Sequence, residues 1–225
     1  MNKLKTLLAS CALILALNTP VMSDSSHFAG PYIGIQGSTV GVGVDGSRNG
    51  GADDVKEASN ANVGKTGITA GIEAGYAIPV GSAFLLDIGG SYIDGAVSMR
   101  HNDTDLAATG AVKFVAQQFI TVYAAPTLVL SDTSSMYAKI GYQEASVNVT
   151  GDVTQPGDLQ GHTYAIGTRT VLDSGIFVRA EAGYTDYDNL ESTGKGTGAT
   201  PIATTKKFTA DPELAYGAIS IGFRF

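Results

Sequence analysis

Seven charged side chains stand out in this 225-residue chain because each interrupts an otherwise alternating, charge-poor segment: Glu73, Asp87, Lys139, Arg169, Arg179, Glu181 and Arg224. Brought together, charges of both signs can pair into a plug, line an ion pathway, or serve catalysis. Four of the seven are basic and three acidic, and charges taken out of water have to be paired. A salt-bridged plug therefore accounts for the set without any chemistry. The three histidines, His27, His101 and His162, add no catalytic constellation. Ser and Asp neighbours are common in polar loops and supply no oriented third group. Carboxylates in "NDTD" (102–105) and "DGSRNGGADD" (45–54) do not make the converging oxygen shell that a hard cation needs. "GKGTGAT" (194–200) is glycine-rich but lacks the strand-to-helix setting of a phosphate loop. No catalytic residue, no metal site and no cofactor is expected.

The elements that must hold these charges are all of one kind. In "GITAGIEAGYAI", Ile68, Ala70, Ile72, Ala74, Tyr76 and Ile78 share one face, with Thr69, Glu73 and three small residues opposite. Phe84, Leu86, Ile88 and Tyr92 oppose Asp87, Gly89 and Ser91, and Ala138, Ile140 and Tyr142 oppose Lys139, Gly141 and Gln143. Tyr164, Ile166 and Leu172 oppose Ala165, Gly167 and Arg169. Ile176, Val178, Ala180, Ala182 and Tyr184 oppose Arg179, Glu181 and Gly183. The chain ends with Ile219, Ile221, Phe223 and Phe225 against Ser220, Gly222 and Arg224. Period-two alternation of this length marks strands. Two segments are less regular. In "YIGIQGSTVGVGV" the apolar parity of Ile33 and Ile35 changes near Ser38, which predicts a bulge. "AVKFVAQQFITVYAAPTLVL" contains Pro126, which belongs at a bulge or near a strand end.

Eight strands result, and their connections come in two sizes. "PVGS", "SDTS" and "DSG" are short; residues 45–65, 98–108, 151–158 and 188–212 are long and polar. The classes alternate, so an antiparallel meander puts every long loop at one end. An exposed backbone polar group in hydrocarbon costs several kcal/mol, so a sheet in a bilayer closes on itself. An even strand count, apolar-out and polar-in alternation, and turns sorted by size are the conditions of a transmembrane barrel. A soluble sandwich does not require sorted turns. A soluble up-and-down barrel also has eight strands, but its apolar face is the interior, which leaves the seven charges on the outside of a chain only 16% charged. The expected fold is all-β: an eight-stranded antiparallel up-and-down transmembrane barrel with both termini in the periplasm. Tyr32, Tyr76, Tyr92, Tyr142, Tyr184 and Phe223 are assigned to the lipid-facing aromatic belts.

"MNKLK" followed by "TLLASCALILALNTPV" reads as a secretory signal, with cleavage after Ser23 and a mature domain over residues 24–225. The only cysteine, Cys11, lies in that leader, so the mature chain has no disulfide. Export leaves 12 basic against 21 acidic residues, which excludes nucleic acid as a partner. The partners expected are outer-membrane lipid and an unidentified surface ligand, and the protein is expected to be a monomer.

In order along the chain, "FAGPYIGIQGS", "MYAKIGYQ" (136–143), "IFVRAEAGYTDY" (176–187) and "ISIGFRF" (219–225) resemble strands of the small outer-membrane β-barrel proteins of Gram-negative bacteria, a group including OmpA-type, opacity-type and adhesin/invasin-like barrels. The resemblance spans nearly the whole mature chain, without a peptidoglycan-binding domain after the barrel. It implies that Ile219, Ile221, Phe223 and Phe225 form a terminal signal for the barrel-assembly machinery. The function it implies is a non-enzymatic surface or structural role, in adhesion or envelope integrity, through the long loops. The alternative is a narrow porin-like passive channel that bulk placed near Gly183 or Gly222 would block.

Overall fold

The computed structural model describes residues 24–49, 65–100, 113–172, 174–197, 204–205 and 207–225. The leader with its cleavage point, His101 and "NDTD" lie outside the described residues. Strands β1 (Gly30–Asn49), β2 (Lys65–Pro79), β3 (Phe84–Arg100), β4 (Lys113–Val129), β5 (Ser134–Thr150), β6 (Leu159–Val171) and β7 (Ile176–Tyr187) pair in sequence. After the short β8 (Leu190–Thr193), β9 (Lys207–Arg224) pairs with β7 and closes the sheet on β1. Every pairing is antiparallel. The strand β8 meets β9 at Leu190↔Ala210, just above the last β7 pair, Asp186↔Glu213. It therefore continues β7 after a break at Asp188 and Asn189, and the barrel has eight staves. No helix among the described residues is long and apolar enough to cross a membrane; the strands do so. The three short connections fall at one end of the antiparallel meander, and the strand ends that border the longer connections fall at the other.

Alternation sorts the side chains as a bilayer requires. Ile35, Ile68, Ile72, Ile88, Ile140 and Ile219 point outward, Ile68 with 88% of its surface exposed. A folded protein in water would bury such residues; here lipid covers them.

The structure revises the sequence reading at two places and bears it out at a third. The β1 pairing runs without a register shift from Gly30↔Ala77 to Val42↔Lys65, so there is no bulge at Ser38. Val40 and Val42 are apolar on the inward face because they join a core inside the barrel. Pro126 pairs opposite Leu86 near the end of β4, as expected, and faces outward close to the short turns. The irregularity in β4 lies between Gln117 and Ile120, where Gln118 takes a positive φ of 57°. Finally, parts of the segments read as loops are paired strand. β1 has 20 residues, about twice a bilayer crossing, and pairs with β9 as far as Asn49↔Lys207. Backbone pairing continues above the membrane, where lipid no longer imposes an apolar face.

Candidate functional site: the packed lumen

Six of the seven charges meet inside the short-turn half of the barrel, as three ion pairs. Arg179 on β7 reaches across to Glu73 on β2, with Nη1 2.7 Å from Oε2. Arg169 on β6 meets Asp87 on β3 at 2.5 Å, and Lys139 on β5 meets Glu181 on β7 at 2.5 Å. All six side chains are at most 8% exposed. Each carboxylate except that of Glu73 has further donors. Thr127 Oγ1 donates to Asp87 Oδ2 at 2.5 Å. Tyr137 Oη and Tyr216 Oη donate to the two oxygens of Glu181, at 2.7 and 2.8 Å. Arg224, the seventh charge, joins none of these pairs. It sits at the end of the last strand, where its Nη1 donates to the carbonyls of Ala29 (2.9 Å) and Ser26 (3.4 Å).

Aromatic rings fill the space between the charges. The Arg179 guanidinium lies 5.1 Å from the Tyr32 ring centroid and 5.2 Å from that of Tyr137. Lys139 Nζ lies 4.3 Å from the centroid of Tyr123. These are cation–π distances. Tyr32 and Tyr123 share a hydroxyl–hydroxyl bond of 3.0 Å. Tyr32 is thus a lumenal residue, only 3% exposed, and not part of a lipid belt. Its even position, opposite in parity to Ile33 and Ile35, was the signal in the sequence, and the same parity argument places Tyr123, Tyr137 and Tyr216 inside.

The rings fit because glycines leave room for them. A Cβ on Gly89 would lie 2.8 Å from Tyr123 Oη. One on Gly75 would meet Tyr32, on Gly167 Tyr137, on Gly183 Tyr216 and on Gly222 Phe177. Gly183 and Gly222 are therefore not openings that bulk would plug, because aromatic rings already occupy them.

Two apolar layers bound the charges. Towards the short turns, Phe28, Tyr32, Ala77, Leu85, Val129, Val171 and Phe177 form a buried cluster. Towards the loops comes first a polar layer: Gln143 bonds Thr121 at 2.8 Å, Thr185 bonds Gln143 and Thr163, and Tyr187 donates to Gln143. Above it Val40, Val42, Ile93, Val97, Phe119, Val147, Leu159, Leu190 and Leu214 close into a second core. A cavity of about 20 Å³ between Lys139, Gln143, Phe119 and Tyr216 has room for about one water molecule. Among the described residues, no group of three or more His, Cys, Asp or Glu could hold a metal ion. His162 faces outward on β6, its ring edge-on to Tyr142 at 5.7 Å.

A closed eight-stave barrel with an apolar exterior and a paired, charged interior is an outer-membrane β-barrel. The chain belongs to the outer membrane protein β-barrel domain family, which matches residues 9–201. No curated protein matches it. Among solved structures, the outer membrane protein OprG of Pseudomonas aeruginosa is similar at 13% identity and a TM-score of 0.50, over 88% of this chain and 97% of that one. Neisserial surface protein A is similar at 11% identity and 0.49, over 88% and 98%. The outer membrane protease OmpT of Escherichia coli is similar at 8% and 0.47, over 87% and 97%. Such likenesses concern the fold, and function has to be argued from the site. Family and fold place the protein in the outer membrane, embedded in lipid.

Proposed function

We propose that this protein is a non-enzymatic surface or structural barrel whose lumen is sealed and whose specificity resides in the long connections at one end. One observation carries the reading: a layer of three closed ion pairs lies between two buried apolar clusters. Eight strands leave an interior that side chains can fill, whereas channel-forming porins use 16–18. The three lumenal carboxylates are each paired with a cation, and the cavity beside Lys139 is only about 20 Å³, which argues against hydrolytic chemistry there. The loop end is built for display. Residues 151–158 and 190–197 hold each other through Thr154 N–H to Thr193 O (2.7 Å), Lys195 N–H to Asp152 O (3.0 Å) and Thr197 on the Asp152 carboxylate.

Planar-bilayer recording tests the sealed lumen. The expected result is no stable conductance; a reproducible open level would overturn the reading and favour a passive channel.

The outward row Ile219, Ile221, Phe223 and Phe225 we assign to recognition by the assembly machinery. Its support is the position of Phe225: 72% exposed, ring edge-on to Phe223 at 5.2 Å, and just beyond the strand that closes the barrel. Cleavage after Ser23 is proposed on the leader's composition, and a monomeric state on the closed β1–β9 seam.

A further inference from the structure

The barrel wall begins at Gly30, yet the chain before it is folded and buried. Residues 25–28 form a 3-10 turn, Ser25–Phe28, capped by Asp24, whose Oδ1 accepts from Ser26 N–H at 2.9 Å. That bond holds the Asp24 carboxyl below its ordinary pKa. Gly30 takes a φ of +113°, and a Cβ there would lie 2.8 Å from the carbonyl oxygen of Phe225. A glycine at this point therefore lets the chain leave the wall and turn into the mouth.

What enters the mouth is Phe28. Its side chain has no exposed surface and packs among Tyr32, Ala77, Leu85, Val129, Val171 and Phe177, residues from β1, β2, β3, β4, β6 and β7. Two anchors fix the turn. On one side Ser25 N–H donates to Ser82 O at 2.8 Å and its hydroxyl to Gly81 O at 2.7 Å, tying it to the β2–β3 turn. On the other, Arg224 of β9 donates to the carbonyls of Ala29 and Ser26. A barrel needs none of this to close its sheet, since β1 and β9 already pair from Tyr32↔Arg224 upward.

We propose that residues 24–29 are a strap across the short-turn mouth, with Phe28 as the cork and Arg224 as the clasp, so that aqueous access to the lower lumen is set by this segment and not by the strands. The proposal rests on the sealed-lumen reading and adds how its lower end is closed. It also gives Arg224 a role distinct from the ion pairs: its guanidinium holds backbone carbonyls of the turn and no carboxylate.

Thiol reactivity tests it on the full chain with Cys11→Ser, folded into phosphatidylcholine vesicles. One reporter is Val171→Cys below the charge layer; the other is Thr185→Cys above it. Both parent positions are buried. With the strap intact, a charged methanethiosulfonate reagent should modify the lower reporter slowly. Adding Phe28→Ala should raise that rate at least tenfold, and Arg224→Gln should raise it by a smaller factor. The upper reporter should not change. Ala77→Cys replaces the lower reporter if Val171→Cys impairs folding, as judged by heat-modifiable gel migration. Equal lower-reporter rates with and without the Phe28 ring would overturn the strap. So would equal acceleration at both reporters, which would mean general loosening of the barrel. A failed strap with silent bilayer recordings would leave the charge layer as the seal, whereas conductance in the unmutated protein would refute the sealed reading itself.

Discussion

The two halves of the lumen are packed by different physics. Near the short turns the barrel is held by Arg179–Glu73, Arg169–Asp87 and Lys139–Glu181, interleaved with Tyr32, Tyr123, Tyr137 and Phe177. Near the loops it is closed by aliphatic side chains and Phe119, with a hydroxyl–amide layer beneath them. The difference lies in what each half requires of its neighbours. Buried charges need a specific partner at a specific level, and so they pin strands in register. Aliphatic contacts exclude water without demanding a single register.

The largest effect should come from breaking a pair in the charged half. Arg179→Ala leaves Glu73 buried without its cation and should cost about 3–5 kcal/mol, measured by urea unfolding from vesicles. Replacing both partners at once, Arg179→Met with Glu73→Gln, should recover most of that loss, because no uncompensated charge remains. If Arg179→Ala unfolds within about 1 kcal/mol of the unmutated protein, the ion pair is incidental and the contrast between the halves fails.

A smaller effect belongs to the glycine seats under the rings. Gly183→Val and Gly222→Val place carbon into Tyr216 and Phe177 and should each cost about 1–3 kcal/mol through overpacking. Gly37, on the outer face with nothing within 4 Å of a built Cβ, is the control. Gly37→Val should leave stability unchanged to within about 0.5 kcal/mol. Equal losses at all three positions would mean that strand geometry, not the lumenal rings, demands glycine.

The smallest effect on stability should come from the chain end. Removing Phe225 takes away an exposed ring and should change equilibrium stability by less than about 1 kcal/mol, while slowing insertion by the assembly machinery several-fold. Matching insertion kinetics for the truncated and full chains would reduce Phe225 to a lipid-facing aromatic.

Much of the charged half was legible in the sequence because a strand's period of two is strict. Glu73, Asp87, Lys139, Arg169, Arg179 and Glu181 all sit opposite an apolar row, so parity alone put them on one face. Parity could not show that Arg224 lies level with the N-terminal turn, since that depends on how the chain before β1 folds back. Nor did it give the loop half. There the inward face is apolar as well, so parity no longer separates the two faces; Val40 and Val42 looked like a bulge and are a core. Strand ends were misjudged for the same reason: Asp45 and Asp211 pair across β1 and β9, and no apolar face marks them as strand. The aromatic–glycine seats escaped notice because each joins neighbouring strands, a relation visible only once register is known.

On the proposed function, the apolar layers seal the lumen while the ion pairs hold its strands in place. Recording the unmutated protein beside Arg179→Ala in planar bilayers, at matched folded protein, addresses it most directly. Silence is expected from both, since Phe28 below and the Phe119 cluster above remain when the pair is broken. Stable steps from the unmutated protein, or from Arg179→Ala alone, would contradict it: the first by showing an open path, the second by placing the seal in the charges.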